Sequence, residues 1–128
     1  MSALRLSDRA RAELLRARER AQPAEACGLL LGVRSGDEAL VVRAVRVRNR
    51  AGGAQRFSLC PQGWMRVELA ARQQNLEVLG PWHSHPDQPA MPSALDLAHG
   101  WHERPNLIVG TDGIRGWQEQ RELSVSSD

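Results

Sequence analysis

A chain of 128 residues, 41% hydrophobic and 25% charged, has the size and composition of one soluble domain with one hydrophobic core. A net charge of +2 argues against the basic surface typical of nucleic-acid binding, and no apolar stretch suits a secretory signal or a membrane span. Two cysteines, Cys27 and Cys60, are too few for a disulfide scaffold. We therefore expect a single domain over residues 1–128 in the cytoplasm with reduced thiols, although one disulfide is also compatible with the sequence.

Hydrophobic periodicity and turn residues divide the chain into helical and extended segments. Ser7 is a candidate cap for the first helix, on which Arg9 and Glu13 form an exposed i,i+4 pair, and Pro23 ends that helix. The tail after Leu123 is polar, so we expect it to be frayed. The predicted elements are helix 7–21, strands 26–33, 39–48 and 56–60, helix 61–75, strand 76–85, helix 93–102, and strands 106–110 and 114–118. Because they show no regular βαβ alternation, they predict an α+β fold with a mixed sheet flanked by helices.

The second predicted strand carries a row of basic side chains. Its members are Arg43, Arg46, Arg48 and Arg50. We interpret the row as a solvated face, and a surface that meets an acidic partner is the alternative.

The stretch Trp82-His83-Ser84-His85-Pro86 is the most informative in the sequence. Residues two apart on a strand share a face and lie roughly 7 Å apart, so His83 and His85 can converge on one ion. A loop with three prolines in seven residues then leads to Ser93 and Asp96, whose carboxylate can complete the site from the first turn of a helix. Two histidines and one carboxylate leave a fourth position for water, which is typical of catalytic zinc.

Hydrolysis at such a site also needs a base, and Glu25 is the best candidate. It directly precedes the buried apolar strand, where a carboxylate requires solvent or a partner. The sequence therefore predicts a metal held by His83, His85 and Asp96, with Glu25 moving protons.

Simpler interpretations exist for each part of this pattern. A His-x-His pair alone is weak evidence, and Ser93-x-x-Asp96 is also the pattern of a helix capping box. His99 and His102 share a helix face with Asp96 and could form a different metal site. These alternatives are less favoured because Glu25, His83, His85 and Asp96 occur together with the right spacing.

Glu25, His83-x-His85 and Ser93-x-x-Asp96 together resemble the motif of the JAMM (MPN+) metallopeptidases. The segments Glu-x-x-Gly-x-Leu-x-Gly and Gly-x-x-His-Ser-His-Pro extend the resemblance over nearly the whole chain, and the proline-rich loop is similar to the bacterial branch. The resemblance implies an MPN/JAMM (cytidine-deaminase-like) architecture with one zinc ion.

The family's roles carry over to matching positions. The resemblance implies that His83, His85 and Asp96 bind zinc, that Glu25 is the general acid/base, and that Ser93 helps to stabilise the oxyanion. Ser84, between the ligands, would make a supporting hydrogen bond. Cys27 and Trp82 are further candidates near the substrate, with packing in the core as the alternative for both.

Compact bacterial members of the family are linked to ubiquitin-like sulfur-carrier proteins. The resemblance therefore implies cleavage after a carrier's C-terminal Gly-Gly, releasing cysteine or trailing residues, and it leaves the carrier and the released group open. The chain is too short for the insertions of ubiquitin-chain proteases. We expect no nucleic-acid or membrane partner, and the sequence does not indicate an oligomeric state.

Two other classes of function remain as alternatives. A non-catalytic MPN-type binding module is disfavoured because such proteins usually lose ligands, whereas this chain keeps all of them. A non-haem iron oxygenase also uses two histidines and one carboxylate. The match at Ser93 and the absence of an evident cosubstrate site argue against it.

Overall fold

A computed structural model describes residues 1–49, 59–93 and 103–127 of the chain. Within these ranges the elements are β1 (Ala3–Leu6), α1 (Asp8–Ala21), β2 (Cys27–Ser35), β3 (Glu38–Val47), α2 (Pro61–Gln73), β4 (Glu77–Ser84), β5 (Asn106–Gly110), β6 (Gly113–Gln118) and β7 (Arg121–Ser127). No helix in this part of the chain has the length and apolar character needed to cross a membrane.

The strands form one closed barrel in the order β1-β3-β2-β4-β5-β6-β7. Strand β1 runs parallel to β3 and β7, β4 runs parallel to β5, and the remaining pairs are antiparallel. The sheet is therefore mixed, as predicted, and it closes on itself. The prediction that helices flank it is confirmed only in part, because the described residues are mostly sheet with two helices, α1 and α2. The predicted helix over 93–102 and most of the predicted strand over 56–60 lie outside the described residues.

The chain termini differ from the prediction. The tail does not fray, because Arg121–Ser127 forms β7, which pairs with β6 on one side and with β1 on the other. Only Leu123 is fully buried in that strand, so its sequence has too little apolar alternation to indicate a strand. Strand β1 is only four residues long, which is too short for the alternation of buried Leu4 and Leu6 to indicate a strand.

Helix α1 begins where it was predicted to begin. The Ser7 side chain accepts a hydrogen bond from the Ala10 amide at 3.0 Å, which is a regular N-cap. The predicted Arg9–Glu13 pair is wrong, because the Glu13 carboxylate instead accepts a hydrogen bond from the Arg43 guanidinium of β3 at 2.9 Å. Glu13 therefore ties α1 to the barrel.

Two apolar clusters lie on opposite faces of the β2–β4 pair. The larger, on the α1 face, includes Leu14, Leu30 and Trp82, and the smaller, on the α2 face, includes Leu29 and Val67. Neighbouring residues of a strand point to opposite faces, which is why Leu29 and Leu30 belong to different clusters.

Gly28 allows these layers to pack closely. A Cβ at this position would lie 1.9 Å from the Val45 carbonyl oxygen and 2.6 Å from the Trp82 indole nitrogen. The indole N–H donates to that same carbonyl at 3.3 Å, so only glycine fits between them.

Candidate metal centre

Three buried side chains with metal-binding atoms meet at one end of the β2–β4 pair. The ligand atoms of Glu25, His83 and His85 all lie within 4.8 Å of one another. The exposed fractions are 4% for Glu25, 3% for His83 and 2% for His85. Burying three such groups together is costly unless they share a proton, a hydrogen-bond network or a cation.

Strand register explains how residues almost sixty positions apart come together. Cys27 lies opposite His83 in the antiparallel β2–β4 pair, so Glu25, two residues earlier, is beyond the strand end on the same side. The extended backbone continues past Ser84, where the His85 amide donates to the Val109 carbonyl at 2.8 Å. The two imidazoles therefore share a face, as the sequence spacing predicts.

The histidine pair fits a tetrahedral metal ion. The Nε2 atoms of His83 and His85 are 3.2 Å apart, and the rings meet edge to face at 61°. Zinc–nitrogen bonds of 2.0–2.1 Å at a tetrahedral angle separate two ligand atoms by about 3.3 Å. The donor set and its spacing therefore fit zinc, with Glu25 close enough to contact a water molecule beside it.

A backbone carbonyl determines which nitrogen of His85 can bind the metal. His85 Nδ1 lies 2.8 Å from the Pro89 carbonyl oxygen. A carbonyl can only accept, so this contact requires the proton on Nδ1 and leaves the Nε2 lone pair facing His83. Metal-binding histidines commonly have such a partner on the second nitrogen.

Hydrogen bonds to the backbone hold the β2 end of the site in place. The Ser84 hydroxyl is fully buried and accepts from the Ala26 amide at 2.8 Å, next to Glu25. The Asn49 side-chain amide donates to the Glu25 carbonyl at 3.0 Å. Asn49 has no motif around it in the sequence, and only the fold reveals its position.

The remaining predicted site residues are placed in part. Ser93 is half-buried at the end of the described loop. Asp96 lies outside the described residues, as do His99 and His102, so the third ligand and its alternatives stay predictions. The cluster of Glu25, His83 and His85 consists of described residues alone.

The two suggested substrate contacts lie in the cores. Trp82 is fully buried in the larger cluster, on the face opposite the histidines. Cys27 shares the face of His83 but is also fully buried, with its thiol 3.6 Å from the Val47 carbonyl. Burial raises the pKa of the Cys27 thiol to about 12. The structure thus favours the packing alternative for both residues.

The row of arginines on β3 is not uniform. Arg43 is paired with Glu13, whereas Arg46 and Arg48 are exposed and line a groove of about 700 Å³ with Arg66 of α2. Arg50 lies outside the described residues. Glu25, His83 and His85 are not among the residues that line this groove.

Comparison with known proteins finds one matching family model and several similar sequences. The family model described as prokaryotic homologs of the JAB domain matches residues 7–123. The desampylase of Pyrococcus furiosus is 37% identical over 73 residues, 57% of this chain and 49% of that protein, so the match spans about half the relative's length. The desampylase of Haloferax volcanii is 35% identical over 111 residues, covering 81% of this chain and 78% of the relative. A probable TtuB-protein conjugate cleaving protease of Thermus thermophilus is 31% identical over 113 residues, covering 88% and 70%.

Solved structures with the same chain fold are also available. Protein DSY2949 of Desulfitobacterium hafniense superposes with a TM-score of 0.82 at 28% identity, covering 98% of this chain and 92% of that one. AF2198, a JAB1/MPN domain protein of Archaeoglobus fulgidus, superposes with a TM-score of 0.62 at 20% identity, covering 96% and 97%. The second likeness concerns the fold alone.

Proposed function

Since this chain belongs to the prokaryotic homologs of the JAB domain, the compact branch of the JAMM/MPN+ family, we propose that it is a zinc-dependent peptidase acting on protein conjugates. Its matched relatives carry the names of conjugate-cleaving enzymes, two of them over most of their length. The observation that carries the proposal is that Glu25, His83 and His85 are buried with their ligand atoms within 4.8 Å of one another.

The proposed metal ligands are His83, His85 and Asp96. Zinc, when bound, would supply Lewis-acid activation of a water molecule and of the scissile carbonyl. His85 presents Nε2 because Pro89 holds its other nitrogen, and His83 meets it from the same sheet face.

Glu25 is the proposed proton carrier. Its carboxylate takes a proton from the attacking water as the carbon–oxygen bond forms, and gives it to the amine as the carbon–nitrogen bond breaks. The products are a carboxylate and an amine, so atoms and protons balance with water as the only co-reactant. The fixed backbone around Glu25, held by Asn49 and Ser84, keeps the carboxylate beside the histidines. Ser93 is proposed to donate to the oxyanion.

The proposed substrate is a ubiquitin-like sulfur-carrier protein, cut after its C-terminal Gly-Gly. This step rests on the family resemblance and on the names of the relatives, which include a TtuB-protein conjugate cleaving protease. Glycine suits a tail that must pass close to a buried site, because it has no side chain. Each described strand has a neighbour on both sides, but β1 pairs with β3 only over Glu38–Val41, so the end of β3 opposite Cys27 has no strand partner on its other side among the described residues. We place the tail next to His85, at the strand ends where the histidines lie.

The test uses carrier proteins extended by one or more residues after Gly-Gly, with mass spectrometry to locate the cut. Wild-type protein should cleave after the second glycine, stop with a chelator and recover with zinc. Glu25→Gln should lower kcat/KM by about 10²–10⁴-fold, the usual contribution of general acid–base catalysis, while zinc content stays unchanged. Glu19→Gln makes the same chemical change on the exposed side of α1 and should be fully active.

Two results would overturn parts of the proposal. A fully active Glu25→Gln variant would remove Glu25 from the chemistry. Protein that contains no zinc by elemental analysis and cleaves no extended carrier would favour the alternative of a non-catalytic MPN-type binding module.

A further inference from the structure

The carbonyl that holds His85 belongs to a peptide unit with a second anchor. The Pro89–Ala90 peptide presents its carbonyl oxygen to His85 Nδ1 at 2.8 Å and its N–H to the Asp112 carboxylate, also at 2.8 Å. A peptide unit is planar, and in the trans form its N–H and C=O point in opposite directions. Asp112 and His85 are therefore joined through one rigid group.

The next peptide group is anchored as well. The indole N–H of Trp117 donates to the Ala90 carbonyl at 2.8 Å, and Trp117, Ala90 and Ile108 form a small buried cluster. The loop also passes close to β5, since a Cβ on Gly110 would lie 2.3 Å from the Ala90 nitrogen. Ala90 is thus fixed on three sides.

Asp112 carries its charge in this arrangement. The Ala90 amide, then the backbone amide of Asp112 itself and then Arg115 hold the pKa of the Asp112 carboxyl below its usual range. Arg115 lies 3.2 Å from the carboxylate and stacks over the Trp117 ring at 5.0 Å. An anionic acceptor on the N–H side polarises the peptide and makes its carbonyl a stronger acceptor for His85.

We propose that Asp112 and Trp117 are positioning residues for the metal site, which hold His85 as its Nδ1–H tautomer. Asp112 acts through the Pro89–Ala90 peptide, and Trp117 acts through the following Ala90–Met91 peptide. The Pro89–Ala90 peptide replaces the direct carboxylate partner that many metal-binding histidines have. This inference rests on the proposed role of His85 as a zinc ligand. Neither Asp112 nor Trp117 touches the substrate or the reacting atoms.

The test measures the His85 tautomer and the zinc affinity separately. Nitrogen-15 NMR of metal-free protein, about two pH units above the ordinary histidine pKa of ~6.5, shows which ring nitrogen carries the proton. Wild-type His85 should carry it on Nδ1. Asp112→Ala should shift protons to Nε2 and raise the zinc Kd by about 10–100-fold, the usual cost of losing an outer partner of a ligand.

Two further variants separate orientation from charge. Asp112→Asn keeps an acceptor oxygen without the charge, so it should lie between wild type and Asp112→Ala in both readouts. Trp117→Phe keeps an aromatic ring but removes the indole N–H, and should also raise the Kd. The control is Glu122→Gln, because Glu122 contacts Arg115 at 2.8 Å from exposed β7 without touching the loop. Glu122→Gln should match wild type.

A folded Asp112→Ala protein with an unchanged tautomer and unchanged zinc Kd would overturn the inference. So would an equal effect of Glu122→Gln, which would trace the change to Arg115. If wild-type protein binds no zinc, the proposed function fails, whereas the tautomer in metal-free protein still decides the role of Asp112.

Discussion

The two faces of the β2–β4 pair contain different kinds of side chain. On the α1 face an apolar cluster with Leu30 and Trp82 continues along the sheet. On the α2 face a smaller cluster with Leu29 gives way, at one end of the strands, to Glu25 and His83, which are polar and equally buried.

This difference separates stability from chemistry within the same two strands. Burial of apolar groups on the α1 face is favourable by itself, whereas burial of an acid and two imidazoles is favourable only with partners. The polar end is tolerated because its groups have partners, since the two histidine rings meet each other and His85 also meets the Pro89 carbonyl. Variants on the two faces should therefore separate folding from metal binding.

The largest effect is expected on zinc binding when a ligand is removed. His83→Ala takes away one of three predicted ligands, so zinc should be absent from the dialysed protein by elemental analysis. The metal-free variant should still unfold cooperatively, because both apolar clusters remain. Zinc retained at the wild-type ratio would show that His83 is not a ligand.

Adjacent leucines offer a matched test of the two faces. Leu30→Ala and Leu29→Ala should each lower the free energy of unfolding by about 2–5 kcal/mol, the usual range for a buried leucine, in urea denaturation. Only Leu29→Ala should also raise the zinc Kd, because Leu29 lies on the face that carries Cys27 and His83. Equal changes of Kd in both variants would contradict the separation of the faces.

The smallest effect concerns alkaline pH. The Cys27 thiol ordinarily has a pKa of 9.0, and burial raises it to about 12 in the folded protein. Below pH 9 both states keep the proton, so the thiol contributes nothing. Above pH 9 only the unfolded chain releases it, and stability falls by up to about 1.4 kcal/mol per pH unit until about pH 12.

Denaturation between pH 8 and 10 checks this expectation. Cys27→Ala removes the buried thiol and should reduce the loss of stability with rising pH. If the stability of Cys27→Ala falls with pH as steeply as that of the wild type, other groups cause the alkaline loss of stability.

The long, strongly patterned elements could be predicted from the sequence, and the short ones could not. Helix α1 and strands β2 to β6 lie within a few residues of their predicted bounds, because their apolar spacing and turn residues are local signals. Strands β1 and β7 were missed because their stability comes from pairing with each other and with β3 and β6. The MPN/JAMM fold implied by the resemblance is confirmed by the solved structures, including the JAB1/MPN protein.

The candidate site, like the fold, could be predicted from the sequence only in part. By itself the sequence determined the donor types and their spacing, since residues two apart, such as His83 and His85, share a face wherever the backbone is extended. The tertiary structure decided that Glu25 lies beside that pair, because this contact depends on the register of β2 against β4. The tautomer of His85 likewise depends on contacts that only the tertiary structure makes. Loop packing brings the Pro89 carbonyl to the ring, and the turn between β5 and β6 brings Asp112 to the Ala90 amide. Local spacing decides which groups can share a face, whereas contacts between distant segments decide how a buried group is held.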